Sequence, residues 1–237
     1  MKLANSKNLI YENSYPIQML QTLIETLSNK ILSCKGETLL RVGIDGIDAA
    51  GKTYLANKIA ENLTKREHPI IRASIDGFHN PREIRHRRGK YSPEGYYYDS
   101  FNYDQLKKYL LEPLAPPGNK LCRLRAFDFK TDTKIFSDLV KTSNAHILIF
   151  EGVFLFRKEI ENYWDFKIFV DIDFQTSIKR ALFRDRYLFG SEEEILRHYQ
   201  KRYIPGQKLY LAKEKPREKA DIVIDNNDFK KPFIKSE

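Results

Sequence analysis

GIDAAGKT, residues 46–53, is the stretch that decides how the rest of the chain is read. It fits the pattern G-x-x-x-x-G-K-[ST]. Glycines open backbone conformations closed to other residues, so successive N–H groups can turn inward around a phosphate. A helix that follows points its positive end at the same spot. Lys52 then reaches the β- and γ-phosphates, and Thr53 offers its hydroxyl to Mg2+. The pattern has this meaning only between a strand and a helix; elsewhere it is a tight turn of small residues. Upstream, residues 39–45 (LLRVGID) form a short apolar run, expected as a buried strand. Downstream, Leu55, Ile59 and Leu63 recur at steps of four, which predicts a helix over residues 52–65 with one apolar face. The context holds, and Gly46, Ala49, Ala50, Gly51, Lys52 and Thr53 are expected to cradle a nucleotide.

Farther out, Ile17, Leu20, Leu23, Ile24, Leu27, Ile31 and Leu32 keep one helical stripe, so residues 1–36 read as an N-terminal helical extension. Strands are expected at 69–75, 145–150 (AHILIF, a central one), 166–172 and 221–224. Helices are expected at 174–188 and 191–203. Residues 78–117 are rich in Tyr, Arg, Gly and Pro and predict one helix, near 102–111. They read as a functional insertion and not as packed scaffold, part of an acceptor-binding segment over 78–135. The last dozen residues are polar and expected to be loose. Alternating strands and helices imply an α/β fold of three layers, a parallel sheet with helices on both faces. No linker-like stretch divides the chain, so 1–237 reads as a single domain.

Composition narrows the partners. Apolar residues make up 41% and aromatics 13%, which argues against disorder along the whole chain. Cys34 and Cys122 form no Cys-x-x-Cys pair, so neither a zinc framework nor a redox dithiol is read. The opening residues lack the apolar run of a signal peptide, and no stretch approaches the ~18 apolar residues of a membrane span. The expectation is a cytoplasmic protein with no membrane partner. A formal charge of +9 attracts anions in general, including nucleotides, sugar phosphates and nucleic acids. No nucleic-acid module is recognisable, so nucleic acid is not expected as a partner, and a nucleic-acid-associated P-loop ATPase is the distant alternative.

The guanine-reading Asn-Lys-x-Asp does not occur: Asn29-Lys30, Asn57-Lys58 and Asn119-Lys120 all lack the Asp. A kinase needs a base near the acceptor hydroxyl, an acid oriented towards Mg2+, and an arginine cover that excludes water. Asp76 follows the second strand, where strand ends line a ligand crevice. It can deprotonate an acceptor hydroxyl, or only cap a turn before Gly77. Glu151 follows the apolar strand and can hold Mg2+ through water, with Thr53 as the other metal-side group. Arg180 and Arg184 share a helix face, and Arg186 follows within KRALFRDRYLFG. With the Gly190 hinge and the next helix they read as a lid over 180–203. A solvated basic helix is the plain alternative.

The loop, Asp76-Gly77-Phe78-His79, Phe150-Glu151-Gly152, Arg180…Arg184-Asp185 and the closing Ala220-Asp221-Ile222-Val223-Ile224 occur in an order that resembles the uridine kinase/phosphoribulokinase family of P-loop kinases. The resemblance covers nearly all the chain after about residue 37. It implies an adenylate-kinase-like fold and transfer of phosphate from ATP, with Mg2+, to a hydroxyl of a small molecule. It makes Asp76 the catalytic base, beside Lys52 and Arg184, and puts Arg180 on the nucleotide. It implies an acceptor site drawn from Phe78, His79, Tyr98, Asp99, Phe127, Asp132 and Arg186. Tyr98-Asp99 would be the counterpart of an aromatic–Asp pair that holds ribose hydroxyls. Three residues past Phe127-Asp128-Phe129, where the family's uridine-cytidine kinases carry a base-reading His, this chain has Asp132. An ionised carboxylate accepts from a cytosine amine but not from uridine O4. Residues 226–229 fall near the donor base. The implied acceptor is a nucleoside such as uridine or cytidine, with a sugar, sugar phosphate or pantothenate as the alternative. Residues 81–90 (PREIRHRRGK) add four arginines and a lysine, read either as a solvated basic loop or as a site for an anionic acceptor. A homo-oligomer is left open.

Overall fold

The computed structural model describes residues 6–237, with side chains from residue 18 onward apart from 187 and 188. Residues 1–5 and the side chain of Ile17 therefore lie outside the described part. The chain runs α1 (Ser6–Ser33), β1 (Leu40–Gly46), α2 (Lys52–Lys65), β2 (Ile70–Ser74), α3 (Pro93–Asp99), α4 (Tyr103–Leu106), β3 (Ile147–Glu151), β4 (Phe166–Asp171), α5 (Phe174–Arg184), α6 (Glu192–His198), α7 (Ile204–Glu214), β5 (Ile222–Asp225) and β6 (Phe233–Ser236). The main sheet has the order β6-β5-β4-β1-β3-β2. β1 lies between β3, with Leu40 opposite Ile147, and β4, with Val42 opposite Phe166. Five strands are parallel, and β6 runs antiparallel to β5.

Each strand feeds two cores because its side chains alternate. Ile147, Ile149, Ile168, Val170, Ile222 and Ile224 join Leu55, Ile59 and Leu63 of α2 on one face. Leu148, Phe150, Phe169 and Val223 join Tyr97, Leu110 and Tyr210 on the other. Apolar runs without a polar face are therefore what these strands require. α1 uses its stripe: Leu23, Ile24, Leu27 and Ile31 are buried against the first core.

The structure corrects several expectations. The last dozen residues are not wholly loose. Phe233–Ser236 extends the sheet, Ile234 packs on the first core, and Lys235 reaches Asp171 at 3.1 Å. The sheet is thus mostly, not wholly, parallel. The 78–117 segment is packed rather than peripheral: Tyr96, Tyr97, Phe101, Leu106 and Leu114 belong to the second core. It also contains a second helix of note, α3, capped by Ser92, whose Oγ accepts from Gly95 N at 3.0 Å, with Pro93 in its first turn. The expected helix over 174–188 breaks at Asp185, which ends α5 and starts a short turn. The helix expected to end at 203 instead continues. A π-helical segment (Tyr199–Tyr203) runs into α7, so Pro205 falls in the first turn of α7, where its missing N–H does little harm.

Candidate active site

The loop after β1 has the bent backbone its glycines announce. Gly51 has φ +94°, and even Ala49 takes the left-handed region at φ +59°. A Cβ on Gly46 would lie 2.4 Å from the Val170 carbonyl oxygen, so no side chain fits where β1 turns into the loop. Two residues brace the turn. Asn226 donates from Nδ2 to the Ala50 carbonyl at 2.7 Å. Arg180 donates to the carbonyls of Asn226 at 2.6 Å and Ala49 at 3.4 Å. Lys52 is 8% exposed and donates to Ile47 O at 2.7 Å. Burial lowers its pKa, while Asp48, Glu151 and Asp45 oppose that shift.

Beside the loop lies a cleft of about 420 Å³. Lys52, Thr53, Asp76, Glu151 and Arg184, named from the sequence on one catalytic and metal-binding hypothesis, all line it. β2 and β3 end in register, Ser74 opposite Glu151, so Glu151 at the end of β3 and Asp76 just after β2 emerge at the same end of the sheet. Asp76 sits in a single 3-10 turn, its N–H donating to Ser74 Oγ at 3.3 Å. It faces the open cleft, yet the surrounding protein dehydrates it and pushes its pKa up; Lys52 and Arg184 oppose, and Asp48 adds to the rise. Glu151 is buried and raised in the same direction, by burial first and then by Asp76.

The lid arginines separate. Arg184 lines the cleft, held by Asp185 at 2.6 Å and by Tyr199 OH at 3.3 Å. Arg180 lies on the far side of the loop. Arg186 pairs with Glu192 and lines neither the cleft nor the loop.

Of the expected acceptor residues, only His79 lines the cleft. Its ring lies 4.6 Å from that of Phe101 and 5.2 Å from that of Phe129. His79 Nδ1 is 3.0 Å from the Asp76 carbonyl, which can only accept, so Nδ1 carries the proton and Nε2 is left as an acceptor. Burial pushes the His79 pKa down to about 4, which keeps this tautomer neutral. The other placements differ from expectation for identifiable reasons. Phe78 and Phe127 are core, 0% and 3% exposed. Tyr98 points outward, under Lys213 and Arg88. Asp99 is buried with both oxygens taken, by Arg87 and by Arg88 at 2.8 Å. Asp132 accepts from Arg85 Nη2 and from Arg82 N, both at 2.9 Å.

The cleft also contains residues that the sequence did not single out one by one. Asp48 lies inside the loop motif at a position the pattern leaves open. Its Oδ2 accepts from Tyr96 OH at 2.8 Å and Gln207 Nε2 at 2.7 Å. Tyr96, Phe101, Phe129, Tyr199 and Tyr203 supply the aromatic walls, and Arg85 a second guanidinium. Arg85 belongs to the basic run 81–90, and Tyr96 and Phe101 to an aromatic-rich stretch, but their meeting in one cleft is set by the fold. Beneath the site, Asp45 is 0% exposed and accepts from Gly46 N at 2.6 Å, Leu155 N at 3.1 Å and Tyr210 OH. It ties the segment after β3 to the start of the loop.

A second, apolar cavity of about 550 Å³ lies on the other side of the loop. Ala49, Gly51, Arg180, Asn226 and Phe229 meet Leu20 and Leu23 of α1 there. The expected donor-base residues 226–229 thus adjoin the loop. Among the described residues no three His, Cys, Asp or Glu side chains cluster as a metal cage. The donors present are hard oxygens, Thr53, Asp76 and Glu151, beside a phosphate loop. That set suits Mg2+, which keeps waters and takes substrate phosphates as ligands. Among the described residues no helix is long and apolar enough to cross a membrane.

The family model described as phosphoribulokinase/uridine kinase matches residues 42–230. Uridine-cytidine kinase A of Dictyostelium discoideum is 30% identical over 188 residues, 78% of this chain and 36% of that protein. The chain therefore spans little more than a third of that relative. Uridine kinase of Lactobacillus helveticus is 28% identical over 190 residues, 77% of this chain and 84% of that protein. The solved structure of a possible uridine kinase from Bacillus stearothermophilus superposes with a TM-score of 0.68 at 27% identity, covering 86% of this chain and 98% of that one.

Proposed function

The chain belongs to the phosphoribulokinase/uridine kinase family, and from that premise we propose that it transfers the γ-phosphoryl group of ATP to a hydroxyl of a small molecule. The observation that carries this reading is one cleft holding Lys52, Thr53, Asp76, Glu151 and Arg184 together. Asp76 accepts the hydroxyl proton as the hydroxyl oxygen bonds to the γ-phosphorus. The bond to the β,γ-bridging oxygen breaks, and ADP leaves. Lys52 and Arg184 face the charge that spreads over the phosphoryl oxygens. Thr53, and Glu151 through a water, would hold Mg2+, which would supply positive charge against the phosphate oxygens. Arg180, Asn226 and Phe229 hold the nucleotide side. The lid built from α5 and α6 shields the reacting atoms from water.

The relatives' names support a nucleoside of the uridine or cytidine kind as acceptor. A second reading, a sugar, sugar phosphate or pantothenate, is supported by Asp99 and Asp132, whose carboxylates are engaged by arginines of this chain. The test is ADP release against uridine, cytidine, other nucleosides, pantothenate, sugars and pentose phosphates, with RNA and DNA arms and a blank, and mass spectrometry of the product. One acceptor is expected to be phosphorylated by wild type, and Lys52→Ala to slow that transfer by about 10²–10³. ADP release driven by nucleic acid, with no phosphorylated product, would overturn the reading.

A further inference from the structure

A basic chamber of about 900 Å³ continues the cleft on its acceptor side. Arg85, Phe129, Phe189 and Tyr203 line both spaces, while no residue of the phosphate loop lines the chamber. The chamber walls come from the 81–90 turn, the segment around Lys130, and the helix that begins at α6. They bring Arg82, Arg85, Lys90, Lys130 and Arg202 around one carboxylate, Glu194.

The internal pairing leaves this charge uncancelled. Lys90 pairs with Glu194 at 2.7 Å and Arg85 with Asp132 at 2.9 Å. Arg85 Nε stays buried with no hydrogen-bond partner among the described residues. Arg202 is 4% exposed and, among the described residues, donates only to carbonyls, of Lys90, Ser92, Gly89 and Arg85, and pairs with no acid. Arg82 and Lys130 are exposed and make no ion pair among the described residues. The two histidines of the wall report the same field. Burial, then Arg202, Arg85, Arg82 and His198, pushes His86 down to about 4. Burial, Lys90 and Arg202 lower His198, against the Glu194 side chain and its carbonyl.

We propose that this chamber holds an anionic group, a phosphate ester or a carboxylate, carried by the acceptor at the end remote from the hydroxyl that is phosphorylated. The proposal rests on the phosphotransferase reading and selects the second class of acceptor. A neutral nucleoside would leave Arg82 and Lys130, both exposed, paired only with water. An anion gives each a charge-assisted hydrogen bond, with the Arg82 guanidinium suited to two oxygens at once.

The test uses matched pairs that differ in the anion, ribose with ribose 5-phosphate and pantothenol with pantothenate, and uridine as a neutral reference. Wild type is compared with Arg82→Gln and Lys130→Gln, two exposed positions. An anionic member is expected to have the highest kcat/KM. Each variant is expected to lose roughly ten-fold of it through KM, the loss typical of one charge-assisted hydrogen bond, with kcat and the KM for ATP unchanged. Melting shifts induced by ribose 5-phosphate or pantothenate, with ADP–Mg2+ saturating, supply a readout without turnover. A shift that depends on Arg82 and Lys130 without any phosphorylated product keeps the chamber and removes the phosphotransferase reading. Uridine as the best acceptor, or anion-induced shifts that are missing or equal in wild type and variants, overturns the proposal.

Discussion

Two carboxylates, Asp76 after β2 and Asp45 near the end of β1, carry opposite burdens. Asp76 must be ionised to take a proton, and its environment raises its pKa. The acid limb of kcat/KM is therefore expected above the ordinary aspartate value of about 3.9, with activity rising through it as pH increases. A pH–rate profile measures this, and a flat profile down to pH 4 would contradict it. Asp45 has no reacting partner. Burial raises it from 3.8 to about 6, with hydrogen bonds from Tyr210 and Gly46 opposing. A folded-state pKa above the unfolded one means a stabilising contribution complete below about 4 and lost as pH rises through about 6. The loss is on the order of 2–3 kcal/mol. Urea unfolding at pH 4.5 and 7 should show that component in wild type and not in Asp45→Asn. At this scale the sequence shows residues fixed by a spaced motif or by a strand end, Lys52, Thr53, Asp76 and Glu151. It hides the contacts of Asp48, Tyr96 and Arg85, which span about fifty to a hundred and sixty positions. Asp99 and Asp132 were legible as acids but not as arginine partners, since ion pairing is set by the folded path of residues 81–90.

At the scale of elements, the segment between β2 and β3 is organised by the helical segment that joins α6 to α7. Arg202 reaches from the Tyr199–Tyr203 segment to four carbonyls within residues 85–92, and the tilted rings of Tyr96 and Tyr203 lie 4.7 Å apart beside it. The two segments are thus joined. Arg202→Gln is expected to raise acceptor KM by roughly ten-fold or more, with the KM for ATP little changed, because it leaves buried carbonyls short of donors. Steady-state kinetics with both substrates varied decides this, and equal changes in the two KM values would contradict it. The helix α2 was legible to its last residue, since its stripe and the motif before it agree. α3 was not, because GYYYD has poor intrinsic helix propensity and the Ser92–Pro93 start was outweighed. β6 was hidden by its charges: Lys235 and Glu237 look like a solvated tail but bind Asp171 and Lys30.

The whole molecule is a sheet in which the loop-bearing strand β1 is followed by β3 and then β2, so the ends of three adjacent strands converge on one cleft. Its layers were readable from the alternation of apolar runs, because the sheet needs both faces covered. The assembly of cleft and chamber was not, because it depends on how the 78–135 segment folds back against α6 and α7. The same architecture sets the central claim, that this cleft moves a phosphoryl group and Asp76 takes the acceptor proton. The most direct measurement is mass-spectrometric detection of phosphorylated acceptor from ATP–Mg2+ by wild type and Asp76→Asn, with the ATP-induced melting shift recorded for both. The account predicts equal shifts, and product formation slowed by about 10²–10⁴ in the variant. Equal shifts with equal product formation would contradict it.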